Sequence, residues 1–490
     1  AKRFAGFYLN EDPDAANWDP EHKIIRCAHN GSKGPGFWNF DGGPIWTAPG
    51  YGLPFYDVPG VETVEDLKDP EKARRMGEVA SARRGKGDAV ANLGATSLVC
   101  NAWLLTGEDT YRDWIVTYVD AWRQRAADND GIVPDNVGLS GETGEHMDGE
   151  WYGANYGWTW PHGWSTLGQA VAIASQNATL VTGDPNYMGF LRSQMDVLID
   201  RGIEQDGKLY VPYKYGDPGK VAYTPWPWFD VLRNEDKTAR QVDGWFEFMP
   251  MRPMFPAHLW AGTMDRADLA RARKLEDPKR YAWDKITRWP RKDQGGNGAG
   301  WMAYLSGKWK DYPEAILRHD LDSVIQRVAK MHNDTEDPNG YGDSYFMARN
   351  PVALEALVQL TMGTPLPVYN GGLLHARVRY FHAGPGGRIG RPGLPQDVGA
   401  LVTGLSDART ELTLVNLHPT ETRRVVVQAG TGGEHDWTAA EHVVRRRGKR
   451  PEKVVERIDG PRLMVTLPPN SGIDLKLGTE RYANAPRYAT

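Results

Sequence analysis

Five times along the chain an apolar helical run ends in the same way, and this recurrence constrains the fold more than any other feature. Leu105-Thr106-Gly107-Glu108 is followed by Tyr111, and Val181-Thr182-Gly183-Asp184 by Tyr187. Looser echoes are Trp260-Ala261-Gly262, Leu305-Ser306-Gly307 with Tyr312, and Leu360-Thr361-Met362-Gly363. Glycine suits the left-handed position that closes a helix, and the acid after it suits the start of the next one. Each copy therefore predicts the short turn of an antiparallel helical hairpin. The runs between them keep helical spacing. Tyr111, Trp114, Ile115, Tyr118, Val119 and Trp122 fall on one face, as do Trp164, Leu167, Val171, Ala174, Ala178 and Val181. Leu317, Leu321, Val324, Ile325, Val328 and Met331 give the cleanest stripe. The glycines are unequally spaced, which excludes a solenoid of equal repeats.

From about Gly371 the apolar period changes to two. Leu412 and Leu414, Val465 and Leu467, then Ile473, Leu475 and Leu477 alternate with polar residues, as half-buried strands do. At 490 residues the chain exceeds a single ordinary domain. Three parts are expected: an irregular, Pro/Gly-rich segment over 1–84, a helical domain over 85–370, and an antiparallel β-sandwich over 371–490. The long connectors 127–162 and 203–254 sit between hairpins and are expected to gather at one end.

The richest of these connectors reads GETGEHMDGEWYGANYGWTWPHGW from Gly141 to Trp164. Carboxylates, histidines and tyrosines capable of proton transfer alternate there with indole rings, whose faces suit the apolar faces of pyranoses. The chain holds 19 tryptophans, an unusual number, of which more than half are expected to fill the core. Those in Gly/Pro-rich loops (Trp151, Trp158, Trp160, Trp226, Trp228 and Trp245) are expected to include stacking platforms. Helical hairpins closed by Leu-Thr-Gly-Asp/Glu-x-x-Tyr, long aromatic loops and a C-terminal β domain together resemble the six-hairpin (α/α)6-toroid carbohydrate-active enzymes. These comprise glycoside hydrolases and polysaccharide lyases. The resemblance implies a helical toroid, mainly α, followed by a small β-sandwich. It also implies a substrate cleft at one rim, where 127–162, 205–250 and 332–346 would converge. It transfers no catalytic residue, because no family signature aligns.

Hydrolysis of a glycosidic bond in an oligo- or polysaccharide needs a proton donor and a second carboxylate. Asp148, Glu150, Asp243 and Glu247 are the candidates, with Asp334 and Asp343 behind them. Asp148 and Glu150 lie too close in sequence to oppose each other, so Glu150 with Asp243 or Glu247 is the more reasonable pair. β-Elimination on a uronate-containing glycan is the alternative, with Tyr156 and His162 as base and acid. Trp151, Tyr152, Asn155, Trp158, Trp160, Trp245, His332 and Tyr341 are the expected substrate-binding residues. A non-catalytic glycan-binding protein is the remaining reading.

Other classes find little support. A net charge of −5 argues against a nucleic-acid partner, and no apolar run reaches the ~20 residues of a membrane span. No phosphate loop is present, and Asp128-Asn129-Asp130-Gly131 lacks the closing acid of a calcium loop, so no cofactor or metal is expected. Cys27 and Cys100 allow at most one disulfide, and Asn30, Asn177 and Asn333 match the glycosylation pattern. The chain opens on Ala1, consistent with a leader already removed, and its compartment stays open between an exported and a cytoplasmic location.

Overall fold

The computed structural model describes residues 1–12, 16–26, 30–31, 34–35, 53, 55, 57–84, 86–154, 156–216, 230–287, 296–341, 345–384, 388–444, 450 and 452–488. Helices and strands are mixed, with eleven α-helices among the described residues and a C-terminal region built of strands. None of these helices is long and apolar enough to cross a membrane. The chain divides into two compact units: 1–182, 186–251 and 370–372 form the first, and 183–185, 252–369 and 373–490 the second. The helical region expected as one toroid over 85–370 is thus shared between them.

In the first unit the helices Thr96–Thr106 and Asp109–Asp128 form a hairpin. Gly107 closes the first of them at φ +77°, its N–H donating to the Trp103 carbonyl at 2.8 Å. The predicted face of the second, Tyr111 through Trp122, is buried. The helix Trp164–Thr182 is buried on nearly every side, as expected of a central helix packed all round. Within it the Asn177 amide donates to Thr96 Oγ1 at 2.9 Å and to Ser97 Oγ at 3.0 Å. Asn177 is fully buried, so this glycosylation match is a core residue. Cys100 is also fully buried, and Cys27 lies outside the described residues. The N-terminal stretch packs here too: Trp18 meets Trp114 and Tyr118 with ring centroids 5.1 and 5.6 Å apart. The buried Asp88 accepts from Ile25 N–H at 2.9 Å and from the Tyr118 hydroxyl.

The connector 203–250 is not an open loop. Strands Ile203–Gln205, Lys208–Tyr215, Trp245–Pro250 and Gln241–Val242 lie side by side in that order. Lys208–Tyr215 and Trp245–Pro250 pair antiparallel, with Lys214 opposite Phe246.

The second unit holds the helices Met254–Thr263, Arg266–Lys274, Gly298–Leu305, Tyr312–His332 and Glu355–Met362. Gly307 and Gly363 adopt the positive φ expected of helix ends. Gly262 does not: the helix runs on to Thr263, and Met264 takes the left-handed cap at φ +56°. The stripe on Tyr312–His332 also departs from expectation. Tyr312 and Ile316 are buried, but Leu317, Leu321, Ile325, Val328 and Met331 are 45–60% exposed.

Two antiparallel sheets complete this unit. One orders Ile389–Pro392, Val378–Ala383, Arg423–Ala429 and Arg462–Leu467. The other orders Val398–Ser406, Arg409–Asn416, Ser471–Glu480, Asp436–Val444 and Glu452–Gly460. Val378, Tyr380, Val425 and Val427 of the first share a core with Leu412, Leu414, Trp437, Leu475 and Leu477 of the second. The period-two residues are the ones facing inward, as pleating requires.

Candidate active site

The loop that follows Val133 is organised by one buried acid. Asp135 Oδ2 accepts from the N–H groups of Gly153 at 3.0 Å and Trp158 at 2.8 Å. Its Oδ1 accepts from Ala154 N–H at 3.2 Å and from the Asn136 amide at 3.0 Å. Asn136 in turn holds Gly144 N–H and the Glu150 carbonyl. Gly157 lies so close that a Cβ there would stand 2.1 Å from Asp135 Oδ2. Burial pushes the Asp135 carboxyl up to about 6, against the pull of the Asn136 amide and the three backbone donors.

This scaffold fixes the aromatic residues. Trp158 is fully buried, its indole N–H donating to the Val133 carbonyl at 2.8 Å. It stacks on Trp164 and meets Trp245 edge-on at 5.3 Å. Its carbonyl accepts from Tyr215 N–H at 3.2 Å, and Thr159 Oγ1 donates to the Tyr215 carbonyl at 2.8 Å. The loop is thereby tied to the end of strand Lys208–Tyr215. Tyr215, half-buried, stacks on half-buried Trp151 at 4.7 Å and 30°. Tyr152 and Trp245 press edges against it at 4.8 and 4.9 Å. Gly244, at φ +80°, is the close approach this needs, since a Cβ there would lie 2.7 Å from the Tyr215 ring.

Charged groups surround this stack. Desolvation raises the Tyr215 phenol, and the negative charges of Glu150 and Asp243 raise it further, while Arg201 opposes them. Both acids are exposed. The Arg201 guanidinium also lies over the Trp245 ring, 5.4 Å from its centroid. Glu150 and Asp243, from connectors remote in sequence, thus adjoin the same half-open aromatic face: Glu150 precedes Trp151, which stacks on Tyr215, and Asp243 precedes Gly244, which abuts the Tyr215 ring. Tyr215, Arg201 and Asp135 were not singled out by sequence reasoning.

The remaining expected residues divide. Asp148 is exposed on the same loop, and the Tyr156 ring lies 6.4 Å from that of exposed His162. Gly163 presses this turn onto the sheet: a Cβ would stand 1.9 Å from the Tyr213 carbonyl oxygen. Glu247 is not available on the open face. It is 3% exposed and ion-paired with equally buried Lys214 at 3.0 Å. Burial lowers the Lys214 ammonium, while Glu247 raises it. Trp158, Trp160 and Trp245 are buried within the protein, so of the loop tryptophans described only Trp151 keeps an open part. Asn155, Trp226, Trp228 and Asp343 lie outside the described residues. His332 and Tyr341 belong to the second unit.

Asp148, Tyr156, Asp243 and Glu247, four of the six expected catalytic residues, have left-handed backbone at φ +49° to +57°. This region is uncommon for residues with a Cβ and clusters at functional sites.

Fold and site define a protein of mixed helices and strands, with a β-rich C-terminal region and an acid-flanked aromatic face in its first unit. The chain belongs to the family described as Domain of unknown function (DUF8034), whose model matches residues 1–358. No curated protein matches it. Among solved structures it is similar to an inactive variant of the alpha-1,6-mannanase GH76A of Salegentibacter sp. HEL1_6, in complex with alpha-1,6-mannotetrose. The identity is 10%, over 66% of this chain and 86% of that one, with a TM-score of 0.26. It is also similar to a variant of UGL, an unsaturated glucuronyl hydrolase, with dGlcA-Glc-Rha-Glc. There the identity is 12%, over 76% of this chain and 86% of that one, with a TM-score of 0.23.

Proposed function

We propose that this chain is a carbohydrate-active enzyme that hydrolyses glycosidic bonds in an oligo- or polysaccharide, with Glu150 and Asp243 as its two carboxylates. One observation carries the reading: the Tyr215 ring stacks on Trp151, next in the chain to Glu150, and is abutted by Gly244, next to Asp243. The half-open Trp151–Tyr215 pair suits the apolar face of a sugar ring. One flanking acid protonates the leaving oxygen, and the other activates water or attacks the anomeric carbon. Arg201, on the opposite sign, keeps the two like charges from acting on the phenol unopposed.

A second reading rests on the Tyr156–His162 neighbourhood, since a phenol and an imidazole at this spacing could share proton transfer in β-elimination on a uronate-containing glycan. One assay separates the two on a panel of neutral and uronate-bearing oligosaccharides. Hydrolysis produces reducing ends without near-ultraviolet absorbance and falls at least a hundredfold in Glu150→Gln and in Asp243→Asn. Elimination produces absorbance in step with cleavage and is lost in Tyr156→Phe. Binding without any cleavage across the panel would overturn both and leave a glycan-binding protein.

A further inference from the structure

The second unit contains a cavity of about 800 Å3 between the end of helix Tyr312–His332 and the segment that follows it. Its wall is aromatic. Tyr341 and Tyr345 stack at 3.4 Å and 13°, and Phe346, 68% exposed, meets both edge-on at 5.9 and 5.2 Å. Of these, Tyr341 and Phe346 keep open ring surface, the flat apolar kind that pyranose C–H faces prefer.

Two guanidinium groups line the same cavity, and their charges are used differently. Arg349 lies over the Tyr345 ring at 3.6 Å and is ion-paired with Asp334 and, at 2.7 Å, with Glu336. The Tyr345 hydroxyl also donates to Asp334. This network holds the aromatic wall in place and leaves Arg349 with two carboxylate partners. Arg327 differs. It donates one Nη1 to the carbonyls of Asn350 at 3.1 Å and Val352 at 3.4 Å, and among the described residues it has no carboxylate partner. Its remaining donors form a planar fork of the kind that matches a carboxylate.

From this we infer that the second unit carries a saccharide-binding site of its own, selective for a sugar that bears a carboxylate. The sugar ring lies against Tyr341 and Phe346, and the carboxylate pairs with Arg327. The site is independent of the hydrolytic reading of the first unit, because no residue is common to the two.

Titration calorimetry on the full chain tests this, in a Glu150→Gln/Tyr156→Phe background that suppresses both cleavage readings. Trigalacturonate is the charged probe and maltotriose the neutral one. Trigalacturonate is expected to bind at least tenfold more tightly than maltotriose. Arg327→Gln should bring the two within twofold, and Tyr341→Ala should weaken both at least fivefold. If Arg327→Gln proves unstable, Phe346→Ala, at a mostly exposed position, must weaken both probes. The component assigned to this site is the one that Tyr341→Ala weakens, and the charge preference is read from that component alone. No preference for the charged probe, or a preference that survives Arg327→Gln, overturns the inference.

Discussion

The two units differ in the buried groups that burial perturbs most. In the first, burial pushes Asp88 and Asp135 each up to about 6. That unit leaves Glu150 and Asp243 exposed beside an aromatic stack. In the second, burial lowers His258 to about 4 and takes His435 well below its ordinary value, with Arg377 and Arg481 adding to the effect, while it raises the acid Glu434. This unit ties Asp334 to Arg349 and Tyr345 beneath its own aromatic wall. Similar residue types therefore serve different ends. An acid near rings is a candidate for chemistry where it stays open, and a fastening where an arginine holds it.

The largest contrast should appear on acidification. A histidine whose folded pKa lies below its unfolded value of ~6.5 favours folding above that value, and the contribution is lost as pH falls towards the folded pKa. Each such histidine costs the second unit about 1.4 kcal/mol per pH unit. Asp88 and Asp135 act in reverse. Their raised pKa values mean that stability falls as pH rises from ~4 to about 6 and is regained on acidification. Hydrogen exchange between pH 6.5 and 4.5 should therefore show amides of the second unit losing protection first. Equal loss in both units would break the comparison.

Next in size is the functional contrast. Glu150→Gln or Asp243→Asn should lower turnover a hundredfold or more, about 2.7 kcal/mol in transition-state stabilisation. Asp334→Asn should change it less than twofold, and steady-state rates on one substrate decide between these outcomes. Smaller again, Asp135→Ala strands the buried N–H groups of Gly153 and Trp158 and should cost about 2 kcal/mol in urea unfolding. A cost below 0.5 kcal/mol would show that the loop does not depend on that carboxylate. The smallest effect is expected at Leu321, 60% exposed on its helix, where Leu321→Glu should stay within about 0.5 kcal/mol of wild type.

These contrasts mark what the sequence could disclose. Helix ends were readable because Gly107, Gly183, Gly307 and Gly363 occupy backbone that other residues enter at a cost. Gly262 misled because Met264 took that conformation instead. Periodicity located the face of Tyr312–His332 but could not say whether anything packs on it, since amphipathic spacing is a property of one helix and burial a property of two. Glu150 and Asp243 were readable as residue types, and their shared neighbour was not. Tyr215 closes the aromatic-rich strand Lys208–Tyr215; its pairing with Trp245 joins it to the strand that follows Asp243, and its hydrogen bonds with Trp158 and Thr159 join it to the loop of Glu150. Asp135 carried a faint signal as an acid amid apolar neighbours in Ile-Val-Pro-Asp-Asn-Val, which reads equally well as a turn.

The left-handed residues of the first unit have a practical consequence. Asp148, Tyr156 and Asp243 each hold a conformation in which glycine would relieve about 1 kcal/mol. A laboratory selection for heat resistance alone would drift towards glycine at these places, and under the proposed function the better survivors would be the poorer catalysts. On that reading, thermal tolerance and turnover trade against each other most steeply at these three positions.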